Sequence, residues 1–124
     1  MNVVDSSAWL EFFADGPNAA AFAVPLSDPS ALLVPSITIY EVFKVVCRQR
    51  GEDAALQAAA LLHQGRVVEL SPSLAMVAAR TSLECALPMA DSIILATARL
   101  HDATLWTQDE HFRELSGVRY FPKG

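Results

Sequence analysis

Four acidic residues, Asp5, Glu41, Asp91 and Asp109, each stand where a strand or helix is expected to begin or end. The chain around them is 52% hydrophobic and only 19% charged. Asp5 closes the run Met1-Asn2-Val3-Val4-Asp5, and Glu41 lies inside Ile37-Thr38-Ile39-Tyr40-Glu41-Val42-Phe43. Asp91 opens Met89-Ala90-Asp91-Ser92-Ile93-Ile94-Leu95-Ala96-Thr97-Ala98, and Asp109 follows Thr104-Leu105-Trp106-Thr107. A carboxylate held against an apolar surface is costly unless it is paired, hydrogen-bonded or bound to a metal. Clustered carboxylates also repel one another, which raises their proton affinity unless a cation neutralises them. Mg2+ or Mn2+, which prefer oxygen ligands, suit an all-carboxylate site, whereas zinc recruits His or Cys.

Taken singly, each acid has a structural explanation. Thr38-Ile39-Tyr40-Glu41 and Thr107-Gln108-Asp109-Glu110 both fit the capping-box pattern. Asp91 suits the positive end of its own helix dipole, and Asp5 can cap a helix beginning at Ser6 or Ser7. Together they read differently. Glu41 is one turn from both Ile37 and Val45, so it projects from an apolar stripe; Asp91 shares its face with Ile94, Leu95 and Ala98. Exposed capping acids have no need to point inward.

Other chemistries find less support. His63, His101 and His111 are scattered and read as surface or helix-end residues. No Gly-rich phosphate loop and no nucleophile-elbow serine is present. Ser6 and Ser7 read as helix caps, with a second role near the water of a bound metal, and Trp9 and Trp106 read as core. Lys44 and Arg48, three and seven residues after Glu41, form a basic strip leading away from the acid, either solvated or holding phosphate.

The elements that must position these residues follow from the punctuation. The strand at residues 1–4 leads to a helix over Ser6–Phe13, broken by Asp15-Gly16-Pro17, and an Ala-rich helical piece runs to Val24. Residues 25–29 read as a loop and 31–34 as a buried strand; a helix then runs to Arg50, with Gly51 as its C-terminal cap. Glu52 and Asp53 start the next helix, which Gly65 ends, and 66–70 is a strand. Ser71-Pro72 starts a helix, and Pro88 separates it from another over 89–101. Strand 104–106, a short helix 109–115 and strand 119–121 complete the chain. Short apolar strands alternating with helices indicate an α/β layered fold with a mainly parallel sheet. Ligands of such sheets gather at the carboxyl ends of the strands, which brings Asp5, Glu41 and Asp109 to one edge. Asp91 follows a helix and is not placed there by this rule.

The 124 residues suit one domain, and no stretch approaches the ~18 apolar residues of a membrane span. The N-terminus lacks the basic and apolar regions of a signal peptide, so a cytoplasmic protein is expected. Cys47 and Cys85 sit in helical patterns without metal-ligand spacing and read as buried thiols. The formal charge of −5 argues against nucleic-acid binding over the whole surface, but it leaves room for a local basic groove and suits a basic protein partner.

The chain resembles the PIN-domain family and, within it, the small VapC-type toxins of toxin–antitoxin pairs. The resemblance is carried by Val3-Val4-Asp5-Ser6-Ser7, Ser36-Ile37-Thr38-Ile39-Tyr40-Glu41-Val42, Ala90-Asp91-Ser92-Ile93-Ile94-Leu95-Ala96-Thr97-Ala98 and Leu105-Trp106-Thr107-Gln108-Asp109-Glu110-His111-Phe112. It covers essentially the whole chain. It implies a three-layer α/β/α PIN-like fold over residues 1–124, and a Mg2+- or Mn2+-dependent ribonuclease that hydrolyses RNA phosphodiesters. Asp5, Asp91 and Asp109 would be the main metal ligands, with Glu41 completing the shell or orienting water. Thr107 matches a supporting hydroxyl position, and the Thr-x-Asp spacing selects Asp109 over Glu110. Lys44 and Arg48, and less directly Arg99, become candidates for holding the RNA backbone. A homodimer and a cognate antitoxin that blocks the site are also implied.

Two other readings compete. One is a PIN-like binding module that has lost catalysis and acts through a protein partner. The other is a phosphatase or phosphoacceptor domain, disfavoured because Asp5-Ser6-Ser7 lacks the second nearby Asp that such nucleophile loops use.

Overall fold

A computed structural model describes all of residues 1–124. Five short strands form one sheet: β1 (Asn2–Val4), β2 (Leu32–Pro35), β3 (Arg66–Val68), β4 (Thr104–Thr107) and β5 (Val118–Tyr120). Their order is β3-β2-β1-β4-β5, and every neighbouring pair is parallel. Six helices cover the two faces: α1 (Ser6–Phe13), α2 (Ala19–Leu26), α3 (Ser36–Arg50), α4 (Glu52–Leu62), α5 (Pro72–Cys85) and α6 (Met89–Leu100). This is the three-layer α/β/α arrangement expected.

Strand periodicity explains why both faces must be covered. Val4, Leu32, Val34 and Trp106 point to one side, where they pack with Trp9, Phe22 and Val42. Val3, Leu33 and Leu105 alternate to the other side and meet Ile94, Leu95 and Phe112. Trp9 and Trp106 are thus core residues, as expected. Helix α6 is buried without a break from Ser92 to Ala98, since it covers the middle of the sheet.

Several boundaries differ from the sequence reading. Helix α2 continues through Pro25 to Leu26, because Pro25 is buried and its missing N–H interrupts only the last turn. The segment after Asp109 forms a 3-10 turn over Glu110–Phe112 rather than a helix to Leu115. Helix α3 begins at Ser36, so Thr38 lies inside it with its buried hydroxyl unpartnered; there is no Thr38–Glu41 capping box. Cys47 and Cys85 are free but only half-buried. Gly51 turns the chain between α3 and α4 at φ +92°, a conformation costly for any residue with a Cβ. No helix is long and apolar enough to cross a membrane.

The Ser71-Pro72 start signal is realised directly, with the Ser71 hydroxyl accepting from the Leu74 amide at 3.1 Å. Ser71→Ala should cost about 1 kcal/mol in urea unfolding and leave the site untouched.

Candidate metal centre

The strand order reverses between β1 and β4, and the crevice outside their carboxyl ends is where a parallel sheet presents ligands. Asp5 directly follows β1, and Asp109 lies two residues past β4. Glu41 is in the second turn of α3, which leaves β2 at the same edge. Asp91 reaches this edge by a different route. Helix α6 leads into β4 and therefore runs against the strands, so its first turn, with Asp91, lies at their carboxyl ends.

Asp5 is the most tightly held of the four, at 2% exposure. It is the N-cap of α1, with Oδ1 accepting from the Ala8 amide at 3.0 Å. The Ser7 hydroxyl donates to both oxygens, at 2.8 and 3.1 Å, and the Thr107 hydroxyl donates to Oδ2 at 2.7 Å. Ser6 and Ser7 are therefore the first two helical residues rather than caps. Burial pushes the Asp5 carboxyl up to about 7; these hydrogen bonds pull against the shift, and the charge of Asp109 adds to it.

The other acids are half-buried. Glu41 accepts a 2.5 Å hydrogen bond from the Ser6 hydroxyl, which ties α3 to the start of α1. Its proton affinity is raised by burial first and by the charges of Asp91 and Asp109 next, against the Ser6 bond and Lys44. Asp91 is raised by burial and by Asp109, while His111 opposes the shift. Asp109 caps the 3-10 turn through the His111 amide at 2.9 Å, and its own amide donates to the Thr107 hydroxyl at 2.9 Å. Thr107 thus joins the two strand-end acids and forms no box with Glu110, which is exposed.

His111 is the residue that the sequence reading left aside. Its side chain is 55% exposed, as expected of a surface position, but Nδ1 lies 2.9 Å from Asp91 Oδ2 and 3.3 Å from Asp109 Oδ1. The Asp91 hydrogen bond, followed by the Asp109 charge, raises its proton affinity. The signal available in the sequence was its spacing of two residues from Asp109. Asp91, Asp109 and His111 each offer a ligand atom within 4.8 Å of the others, a donor set that fits a divalent ion. Asp5 is not one of these three; its oxygens accept from the Ala8 amide and the Ser7 and Thr107 hydroxyls.

Lys44 and Arg48 are exposed on α3, beginning one turn after Glu41, with Lys44 Nζ 5.5 Å from the Tyr40 ring centre. Arg99 is at the far end of α6, about 12 Å along the axis from Asp91, and contacts Cys85 Sγ at 3.8 Å.

Removing the Thr107 hydroxyl should disturb both acids that it joins. Thr107→Val takes from Asp5 Oδ2 the shorter of its two hydrogen bonds and leaves the Asp109 amide without its partner, so a loss of about 1–3 kcal/mol in urea unfolding is expected. An unchanged unfolding free energy would show that water replaces the hydroxyl fully.

A PIN-domain family model matches residues 3–118. No curated protein matches the chain. Among solved structures, a toxin–antitoxin complex from Klebsiella pneumoniae superposes with a TM-score of 0.80 at 25% identity, over 98% of this chain and 99% of that one. Mycobacterium tuberculosis VapC20, described as a toxin that cleaves the sarcin–ricin loop, gives 0.77 at 18% identity over 94% and 95%. VapBC2 from Rickettsia felis, bound to a fragment of promoter DNA, gives 0.73 at 12% identity over 99% and 98%. At the last two identities the likeness is one of fold.

Proposed function

The chain belongs to the PIN-domain family, and from that premise we propose that it is the toxin ribonuclease of a toxin–antitoxin pair, hydrolysing RNA phosphodiesters with Mg2+ or Mn2+. One observation carries the reading. Four carboxylates meet at the switch point of a parallel sheet, and three of them, Asp5, Glu41 and Asp91, are pushed toward the protonated form. The burial and mutual repulsion of such a cluster cost the fold stability, and a divalent cation among the acids relieves that repulsion.

In this reading Asp5, Asp91 and Asp109 would hold the ion, Asp5 from its hydrogen-bonded position at the end of β1. Thr107 fixes the spacing of Asp5 and Asp109. The Ser6 hydroxyl aims Glu41, whose raised proton affinity suits it to orient water and accept a proton from it. Lys44 and Arg48 hold the RNA backbone along α3. A bound ion supplies activation of water and neutralises charge developing on the phosphate. The Klebsiella likeness favours a cognate antitoxin as partner; a homodimer and a cytoplasmic setting complete the proposal.

The test is growth arrest on expression, wild type against Asp91→Asn, together with cleavage of structured RNA by the purified protein with and without MgCl2 or MnCl2. Arrest and ion-dependent cleavage by the wild type alone are expected. Equal arrest by both forms overturns the catalytic assignment. A partner-free protein that binds neither ion and leaves RNA intact points to the catalytically silent module.

A further inference from the structure

The residue that least fits an all-carboxylate site is His111. Its position is set by backbone constraints on both sides. The Asp109 side chain caps the turn through the His111 amide, and Thr107 holds the Asp109 amide. The next residue, Phe112, is anchored in the core at 0% exposure. The imidazole therefore stands on a fixed turn, although it is itself exposed. Its Nδ1 sits between two carboxylate oxygens from different elements, at 2.9 Å from Asp91 and 3.3 Å from Asp109. A six-coordinate ion with bonds of about 2.1 Å separates adjacent ligand atoms by about 3 Å, so this spacing is also that of neighbouring ligands on one ion.

We propose that His111 is a nitrogen ligand of this centre, and that it biases the site toward a first-row transition ion over Mg2+. The proposal rests on the reading that these acids hold a divalent ion. Imidazole nitrogen is a good donor to transition ions and a poor one to Mg2+, which keeps to oxygen ligands and water. Ligation uses the lone pair of Nδ1, so the proton that Nδ1 and Asp91 share in the metal-free site is released to solvent on binding, and the neutral ring keeps its proton on Nε2. Asp91 and Asp109 supply the oxygen ligands, and water can complete the shell on the exposed side. A hydrogen-bonding role alone would steady the two carboxylates equally for either ion; direct ligation separates Mn2+ from Mg2+.

The experiment titrates wild type, His111→Ala and Asp91→Asn with MnCl2 and with MgCl2 by calorimetry. Electron spin-echo spectra of the Mn2+-loaded samples are recorded beside it, and circular dichroism verifies folding. The wild type should bind Mn2+ more tightly than Mg2+ and show nitrogen modulation of the echo. His111→Ala should lose that modulation and about tenfold or more in Mn2+ affinity, with Mg2+ affinity changed far less. Asp91→Asn should weaken both ions. Wild type that binds the ions without nitrogen modulation, or His111→Ala with an unchanged Mn2+/Mg2+ ratio, overturns the ligand role and leaves the divalent-ion reading standing. Wild type that binds neither ion overturns both.

Discussion

Asp5→Asn is expected to lower RNA cleavage by about a thousandfold or more, a loss of several kcal/mol of transition-state stabilisation. The same protein should be more stable than wild type at pH 8 in a chelator. Both expectations follow from one carboxylate at 2% exposure whose proton affinity is raised to about 7 by burial. The unfolded chain ionises this group near 3.8. A folded value above the unfolded one means that its contribution to stability is fully present below about pH 4 and is lost as pH rises through 7. The loss at pH 8 amounts to at most about 4 kcal/mol. Asparagine keeps the oxygen that caps the Ala8 amide and removes the charge, so a gain of about 1–3 kcal/mol in urea unfolding is expected. Full cleavage by Asp5→Asn would remove Asp5 from the chemistry; lowered stability would show that the Ser7 and Thr107 bonds outweigh the buried charge.

The second large effect is a reversal of pH dependence on adding the ion. Asp5, Glu41 and Asp91 are all raised, so each destabilises the metal-free protein progressively as pH climbs above the ordinary carboxylate range. His111 acts in the same direction, because its stabilising pairing with Asp91 is lost as pH rises through its elevated folded value. Metal-free protein should therefore melt at a lower temperature at pH 8 than at pH 5. Saturating MnCl2 at ~100 times its Kd adds about 2.7 kcal/mol, a rise of about 10 °C for a chain of this size. At pH 5 protons compete for the same oxygens and the rise should be much smaller. Calorimetric scans at the two pH values, with and without MnCl2, check this. An equal rise at both would mean that the ion binds away from these acids.

The strand and helix plan was legible because the punctuation was strong: Ser71-Pro72, Gly51 and Pro88 stand at the boundaries of helices. Asp5, Glu41 and Asp109 were placeable at one edge because each follows a strand. The edge rule missed Asp91 because it considers only what leaves a strand; a helix returning against the strands brings its first turn to the same edge. His111 was set aside because three scattered histidines read as surface or helix-end residues, and its partner Asp91 is 20 residues away. The capping-box pattern misled at Thr38 for a local reason. With the helix already begun at Ser36, Glu41 finds its partner in Ser6, 35 residues away, rather than in its own turn.

The double duty of Asp5 bears on how this architecture can decay. As the cap of α1 it satisfies the Ala8 amide whatever happens at the acidic cluster. A lineage released from catalysis would still be held to a capping residue there, and Asn, Ser or Thr would serve as well as Asp. Glu41 caps nothing; its one hydrogen bond, to Ser6, leaves it free to drift once the ion is gone. Among descendants of this chain, a polar residue at position 5 says little about surviving activity. A carboxylate kept at both 5 and 41, against the cost of their burial, is the sign of a site still under selection.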